Sequence, residues 1–270
     1  MLFAECPDYY LGKPLVVDYV ACADCGLIQQ TPLPRDVLPF YEQYPVHEAR
    51  SALLDRAGML LMRQVYHETS ADLAGSAILD YGCGSGAYLA SLQGKGFELA
   101  GFELDARHAG SLSTRLGVPI YSDVGSLIHD RGGRIDILTM HFVLEHVTDL
   151  DATFAHVSRL LRPGGACHIV LPNASSWECR LFGKRWHGLD PPRHISFPDP
   201  PIIDSLARRH GMKLAKTRSV AFPNGIAGSI PVVILGRFSY RFFLACVPLG
   251  LVVSRLSPSG CAAFWLVRDA

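Results

Sequence analysis

Short apolar runs alternate with helix-like stretches through the middle of the chain, and this alternation sets the first expectation. Ala77–Tyr81, Phe97–Glu103, Val118–Tyr121, Arg134–Met140 and Ala166–Leu171 each read as a strand. One intervening helix follows a glycine turn and reaches Leu92, and a second ends near Gly117. A third runs from about Leu150 to Leu161, where Arg162-Pro-Gly-Gly165 stops it. Asp199 can cap a further helix that accepts Pro200 and Pro201 in its first turn and ends at Gly211. Lys213–Phe222 and Cys261–Val267 supply two more strands. Repeated strand–helix–strand units with short connections predict an α/β fold, a doubly wound and mostly parallel seven-stranded sheet covered by helices. Ahead of it, Leu53, Leu54, Ala57, Leu60, Leu61 and Val65 make an apolar stripe on a helix expected over Val46–Leu73.

The two ends of the chain depart from this pattern. Residues 1–34 read as a small module, 46–222 as the core, 223–258 as an apolar insertion and 259–270 as the last core strand. Within the insertion, Ile226–Leu256 has only 13 uncharged residues between Arg241 and Arg255, and Pro231 and Pro248 interrupt it. A spanning helix wants about 20 continuous apolar residues, so a transmembrane segment is not expected. Three readings stay open: a hairpin dipping into a membrane surface, a lid over a substrate pocket, or a homodimer contact.

Charge and cysteine content narrow the function. The 270 residues carry 25 basic and 25 acidic side chains with no basic block, which removes the electrostatic reason for general nucleic-acid binding. Met1–Pro7 is too short and polar for a secretory signal, and the eight cysteines match no disulfide framework, so a cytoplasmic location is expected. Cys22 and Cys25 alone share metal-ligand spacing, half of the two-knuckle pattern that tetrahedral zinc requires. Cys6 is the remaining upstream partner, and Phe3 stands where a fourth cysteine would fall. Cys6, Cys22 and Cys25 are therefore a three-cysteine zinc candidate, with a metal-free vestige as the preferred reading.

The most informative segment is Ile78-Leu-Asp-Tyr-Gly-Cys-Gly-Ser-Gly86, a strand running into a glycine turn and then a helix. Glycines at such a turn permit positive φ and a close approach of ligand to backbone. The spacing G-x-G-x-G differs from the dinucleotide fingerprint G-x-G-x-x-G. Asp80 would repel a diphosphate but can accept hydrogen bonds from an ammonium group, which S-adenosylmethionine (SAM) carries. About 20 residues on, Glu103 can take both hydroxyls of a ribose, Leu104 can cover an adenine face, and Asp123 can reach the adenine amino group.

The series ILDYGCGSG, GFELD, IDILTMHFVLEHV, RLLRPGG and IVLPN resembles the class I SAM-dependent methyltransferases over roughly residues 70–220. It is most similar to the branch of ubiquinone-type O-methyltransferases and zinc-ribbon-bearing nucleotide-sugar C-methyltransferases. The resemblance implies a SAM site of Asp80, Tyr81, Gly82, Cys83, Gly84, Gly86, Glu103, Leu104, Asp123 and His141, and a small-molecule, glycan-precursor or lipid-linked acceptor. It also implies a degraded zinc ribbon over residues 1–34.

Catalysis is expected from the loops after the fourth and fifth strands, since ligands of this fold sit outside the carboxyl ends of the parallel strands. His194, in Pro191-Pro-Arg-His-Ile-Ser-Phe197, resembles a loop histidine that serves related enzymes as base or metal ligand, and is the catalytic candidate. Related sugar methyltransferases have an acidic residue where Arg193 stands. Arg193 would depress the His194 pKa or bind an anionic substrate group, with Trp186 as a second substrate contact. Quinone-type relatives place Glu-x-x-Glu-His after the fourth strand for a divalent metal. Here Phe142 takes the first position while Glu145 and His146 remain, and a helix-cap or loop hydrogen-bond network is the preferred reading of those two. A non-catalytic methyltransferase-like module for assembly at a membrane and an NAD-dependent oxidoreductase are the alternative functions.

Overall fold

The computed structural model describes residues 1–40 and 76–270, so the helix expected over Val46–Leu73 lies outside the described residues. The chain opens with three antiparallel strands, β1 (Phe3–Pro7), β2 (Val16–Ala21) and β3 (Ile28–Thr31). The core then follows with β4 (Ala77–Tyr81), α1 (Ala87–Leu92), β5 (Glu98–Phe102), α2 (Ala106–Leu116), β6 (Ile120–Tyr121), α3 (Val124–Arg131), β7 (Ile135–His141), α4 (Leu150–Leu160) and β8 (Leu161–Pro172). The second half holds α5 (Trp177–Phe182), β9 (Ser196–Phe197), α6 (Pro200–Arg209), β10 (Met212–Val220), α7 (Asn224–Leu235), α8 (Tyr240–Leu256) and β11 (Cys261–Arg268).

The main sheet has the order β10-β11-β8-β7-β4-β5-β6. Strands β4 to β8 are parallel, while β11 runs antiparallel to both β8 and β10. This is the mostly parallel seven-stranded α/β sheet that the strand–helix alternation predicts. Its parallel strands are buried on both faces: Leu79, Leu138 and Ile169 meet α4 and α6 residues on one side, and Ile78 and Ile137 meet Leu89 and Leu112 on the other. Each long helix is stopped or started by local chemistry. Asp105, Asp149 and Asp199 accept amide protons at the starts of α2, α4 and α6, and the left-handed Gly117 closes α2.

Three features differ from the sequence expectation. The helix α3 occupies a stretch to which the sequence pattern assigned no element, although Asp123 caps it through Ser126. Arg162-Pro-Gly-Gly165 ends no strand gap; β8 already begins at Leu161, and the segment is a bulge, with Ile135 paired to Leu161 and Ile137 to Ala166. Most important, residues 1–34, read as a small module, join a later part of the chain: strand β3 pairs with β9, so the N-terminal strands form one four-stranded sheet with the segment that follows His194, in the order β1-β2-β3-β9.

Candidate active site

A cavity of about 1220 Å³ opens at the carboxyl ends of β4, β5, β7 and β8. Its two ends are chemically distinct. One is lined by Tyr81–Gly84, Phe102–Asp105 and Ser122–Val124, the other by Phe142, Glu145, His146, Trp186–Gly188, His194, Phe222 and Gly225.

The first end is shaped by the glycine turn. Gly82 has φ +80°, and a Cβ there would lie 2.6 Å from Val143, so a side chain is excluded by both strain and space. Gly86, at φ +72°, instead lets the start of α1 pack on Leu112 and Leu116 and is absent from the cavity wall. The amides of Gly82 and Cys83 donate to the Phe102 carbonyl, and Gly84 N–H donates to Glu103 Oε2 at 2.9 Å. Glu103 is thereby held at the mouth of β5 beside the turn. Leu104 is half exposed at its edge.

Two residues expected to touch a cofactor are used differently. Asp80 lies behind the turn rather than on the cavity wall: it is buried and accepts from Thr139 Oγ1 at 2.7 Å. Burial pushes its pKa up to about 7, with the Thr139 bond offsetting part of the rise. Asp123 does line the cavity, but its Oδ2 accepts from both the amide and the hydroxyl of Ser126 as the cap of α3. His141 lies on the wall, with Nε2 3.0 Å from His168 Nδ1, and burial followed by His168 holds it neutral.

The second end brings together residues far apart in the chain. His194 Nδ1–H donates to the Gly188 carbonyl at 2.7 Å, and His146 Nδ1–H donates to the Arg193 carbonyl at 2.9 Å. A carbonyl only accepts, so both imidazoles are fixed with their lone pairs on Nε2. Burial, then the neighbouring His146, lowers the His194 pKa to about 3. Glu145 Oε1 lies 4.0 Å from His194 Nε2. The Glu145 side chain has 0% exposure, neither carboxylate oxygen has a hydrogen-bond partner, and burial raises its pKa to about 8. Two orphan acceptors inside a protein are costly.

That donor set fits a divalent cation. Ligand atoms of Glu145, His146 and His194 lie within 4.8 Å of one another, and no other group of three donors this close occurs among the described residues. Both second-nitrogen hydrogen bonds to backbone carbonyls are the usual support of metal-bound imidazoles. Of the helix-cap or loop hydrogen-bond network expected of Glu145 and His146, the His146 bond to the Arg193 carbonyl is present and the Glu145 side chain makes none. The three candidate cysteines are not brought together. Cys6 is buried in an apolar cluster with Tyr19, Cys179 and Trp186, whereas Cys22 and Cys25 sit in the outer turn between β2 and β3.

Arg193 also departs from expectation. Its guanidinium is fully buried and forms a bidentate pair with Asp8, at 2.8 and 3.0 Å, and a second with Asp190, at 2.7 and 2.9 Å. It clamps the residue after β1 to the loop that carries His194, and the cavity wall omits it. Its influence on His194 is the smallest contribution, after burial, His146 and Asp190. Tyr19 adds a second clamp through its hydroxyl, 2.7 Å from the His194 carbonyl. Nothing in the sequence singles out Asp8 or Tyr19, because their partners lie up to 185 residues away, whereas Asp190 meets Arg193 only three residues on. Trp186 does line the acceptor end as expected.

Comparison with known proteins places these features. A family model described as Methyltransferase domain matches residues 54–217. A ubiquinone biosynthesis O-methyltransferase of Aromatoleum aromaticum is 30% identical over 190 residues, covering 66% of this chain and 77% of that protein. Another of the same description, from Chromobacterium violaceum, is 32% identical over 182 residues, covering 63% and 74%. Among solved structures, Burkholderia thailandensis 1,6-didemethyltoxoflavin-N1-methyltransferase with bound 1,6-didemethyltoxoflavin and S-adenosylhomocysteine aligns with a TM-score of 0.59. It is 17% identical, covers 98% of this chain and 100% of its own, and shows the shared fold.

Proposed function

The chain belongs to the methyltransferase domain family and is a SAM-dependent methyltransferase; from this premise we propose that it methylates a hydroxyl of an apolar, uncharged small molecule, using His194 and Glu145 at the acceptor end of the cavity. The observation that carries the acceptor class is the wall itself. Phe142, Phe222 and Trp186 supply apolar surface, and Arg107, beside Asp105 at the cofactor end, is the only Lys or Arg among the described lining residues. A phosphate-bearing acceptor such as a nucleotide sugar calls for cationic side chains or similar donors, and Arg193 is engaged elsewhere. Family membership leaves no place for the NAD-dependent and non-catalytic alternatives. The O-methyltransferase relatives support oxygen as the acceptor atom.

SAM supplies an activated methyl group when bound, so the protein must orient an acceptor and manage one proton. Glu103 and the Gly82–Gly84 turn are the proposed cofactor contacts, with Leu104 and Asp123 beside the adenine. Asp80 is a positioning residue that supports the turn from behind. His194 Nε2 accepts the hydroxyl proton, its ring held by Gly188, with the Glu145 carboxyl 4.0 Å away. A second reading is favoured by the two orphan Glu145 oxygens: Glu145, His146 and His194 would hold a divalent cation. Bound there, the cation would lower the pKa of an acceptor hydroxyl.

The test is methyl transfer from SAM to matched phenols, prenylated phenols and sugar nucleotides, with and without a chelator. Turnover of the phenols is expected. Transfer to sugar nucleotides alone would refute the acceptor class, and full activity after chelation would remove the cation reading.

A further inference from the structure

The helix α8 is built inside out for a water-facing element. Its inner face presents the small residues Cys246, Gly250 and Ser254, four apart, and Gly250 packs so closely on α7 that a Cβ would lie 2.7 Å from the Pro223 carbonyl oxygen. Its large apolar residues point outward: Tyr240, Leu244, Leu249, Val252 and Leu256 are all exposed, Leu256 by 82%. At about 100° per residue these positions fall on one side of the helix, where a surface helix normally carries its polar face. The end of α7 continues the patch with Val233, Ile234 and Leu235, of which Ile234 is 62% exposed. No helix among the described residues is long and apolar enough to cross a membrane.

Charge identifies what covers this face. The exposed side of α8 also carries Arg241 and Arg255, and Arg237 lies at the exposed tip between the helices. Residues 205–268 contain no Asp or Glu, although the whole chain is balanced at 25 and 25. An apolar face with three cations and no acidic residue in its own segment matches the headgroup boundary of an anionic bilayer. A second copy of the same face would bring like charges together on both sides of a contact.

We propose that the outer face of α7 and α8 is a docking surface for an anionic lipid bilayer. The start of α7 contributes Asn224 and Gly225 to the acceptor end of the cavity, beside Phe222. Docking therefore brings the acceptor end to the phase where an apolar acceptor concentrates; this last step rests on the acceptor proposed above, whereas the attachment itself does not.

Flotation of the full chain with vesicles of phosphatidylcholine, with and without phosphatidylglycerol, tests the attachment. The wild type is expected to float with the anionic vesicles and much less with the neutral ones. A Leu249→Glu/Val252→Glu variant should lose roughly tenfold or more of the bound fraction. Arg241→Gln/Arg255→Gln should weaken it by roughly fivefold per arginine. Both variants alter exposed side chains, and SAM titration on the same preparations checks that the core is intact. Failure of the wild type to bind either vesicle would overturn the proposal, as would equal binding to both. A dimer in solution that Leu249→Glu/Val252→Glu dissociates, without vesicle binding, would assign the face to a second copy instead. Turnover of a soluble phenol, measured without vesicles, reports the acceptor reading separately.

Discussion

The cofactor end of the cavity is drawn from three successive strand ends, β4, β5 and β6, within residues 80–124, and its polar groups are largely satisfied by one another. The acceptor end gathers the loop after β7, the loop around His194 and the start of α7, and β1 and β2 brace it from behind through Asp8 and Tyr19. It keeps a buried carboxylate with no hydrogen-bond partner facing two oriented imidazoles. The contrast is between a rigid, self-satisfied half that accommodates a constant ligand and a half whose unmet polar groups wait for an acceptor or an ion. Perturbing one half should leave the other measurably intact.

The largest expected effect is on turnover. His194→Ala should slow methyl transfer by roughly 10²–10⁴-fold, the range that a positioned proton acceptor supplies, while SAM affinity stays within about twofold of wild type. Joint loss of both would mean that the two halves are not separable. Next comes stability. Arg193→Met leaves Asp8 and Asp190 buried without that guanidinium, which should cost about 3–5 kcal/mol in urea unfolding. Asp190, which burial would raise, is held down to about 2 chiefly by it. An Arg193→Met protein as stable as wild type would show that the N-terminal sheet does not brace the loop.

A smaller effect belongs to the cofactor end. Glu103→Gln should weaken SAM binding by about 1.5–3 kcal/mol, roughly ten- to a hundredfold in Kd, the worth of a hydrogen bond to a charged acceptor. The variant should retain the unfolding midpoint of the apo protein. Unchanged Kd would remove Glu103 from the cofactor site and leave the turn itself as the binding element.

The same division explains what the sequence conveyed. Strands β4, β5, β7 and β8, their connecting helices and the SAM turn were legible because each depends on residues within a few positions of one another: Asp199 before two prolines, Gly82 after a buried strand. Arg193 was misread because its partner Asp8 sits 185 residues away, and buried bidentate pairing leaves no local signature. Asp80 was placed in the site by motif, but pattern alone cannot distinguish a side chain on the wall from one supporting it. The N-terminal strands were read from cysteine spacing, whereas their role is set by pairing of β3 with β9. His194, Glu145 and His146 were each visible singly; that they converge within 4.8 Å is a tertiary fact.

The smallest predicted effect probes that convergence through pH. Burial raises the Glu145 pKa from 4.5 to about 8, so between these values the native protein holds a proton that the unfolded chain releases. Stability conferred by the protonated carboxyl is thus full below pH 4.5 and is lost as pH rises through about 8, by up to about 1.4 kcal/mol per pH unit. Other buried groups complicate the lower range. Asp80 and Glu178, both raised to about 7, act in the same direction and are largely spent above that pH. His194 and His168, lowered to about 3, act oppositely, losing stability as pH falls below the ordinary histidine value of 6.5. Between pH 7 and 8 Glu145 is therefore the main contributor, and unfolding of the apo protein there should show a negative slope that Glu145→Gln flattens. A divalent cation binding at Glu145 favours the ionised form, so adding one should flatten the wild-type slope and leave the variant unaffected. Equal slopes in wild type and variant without a cation would mean that Glu145 is already ionised at neutral pH, and the acceptor end would then be as self-satisfied as the cofactor end.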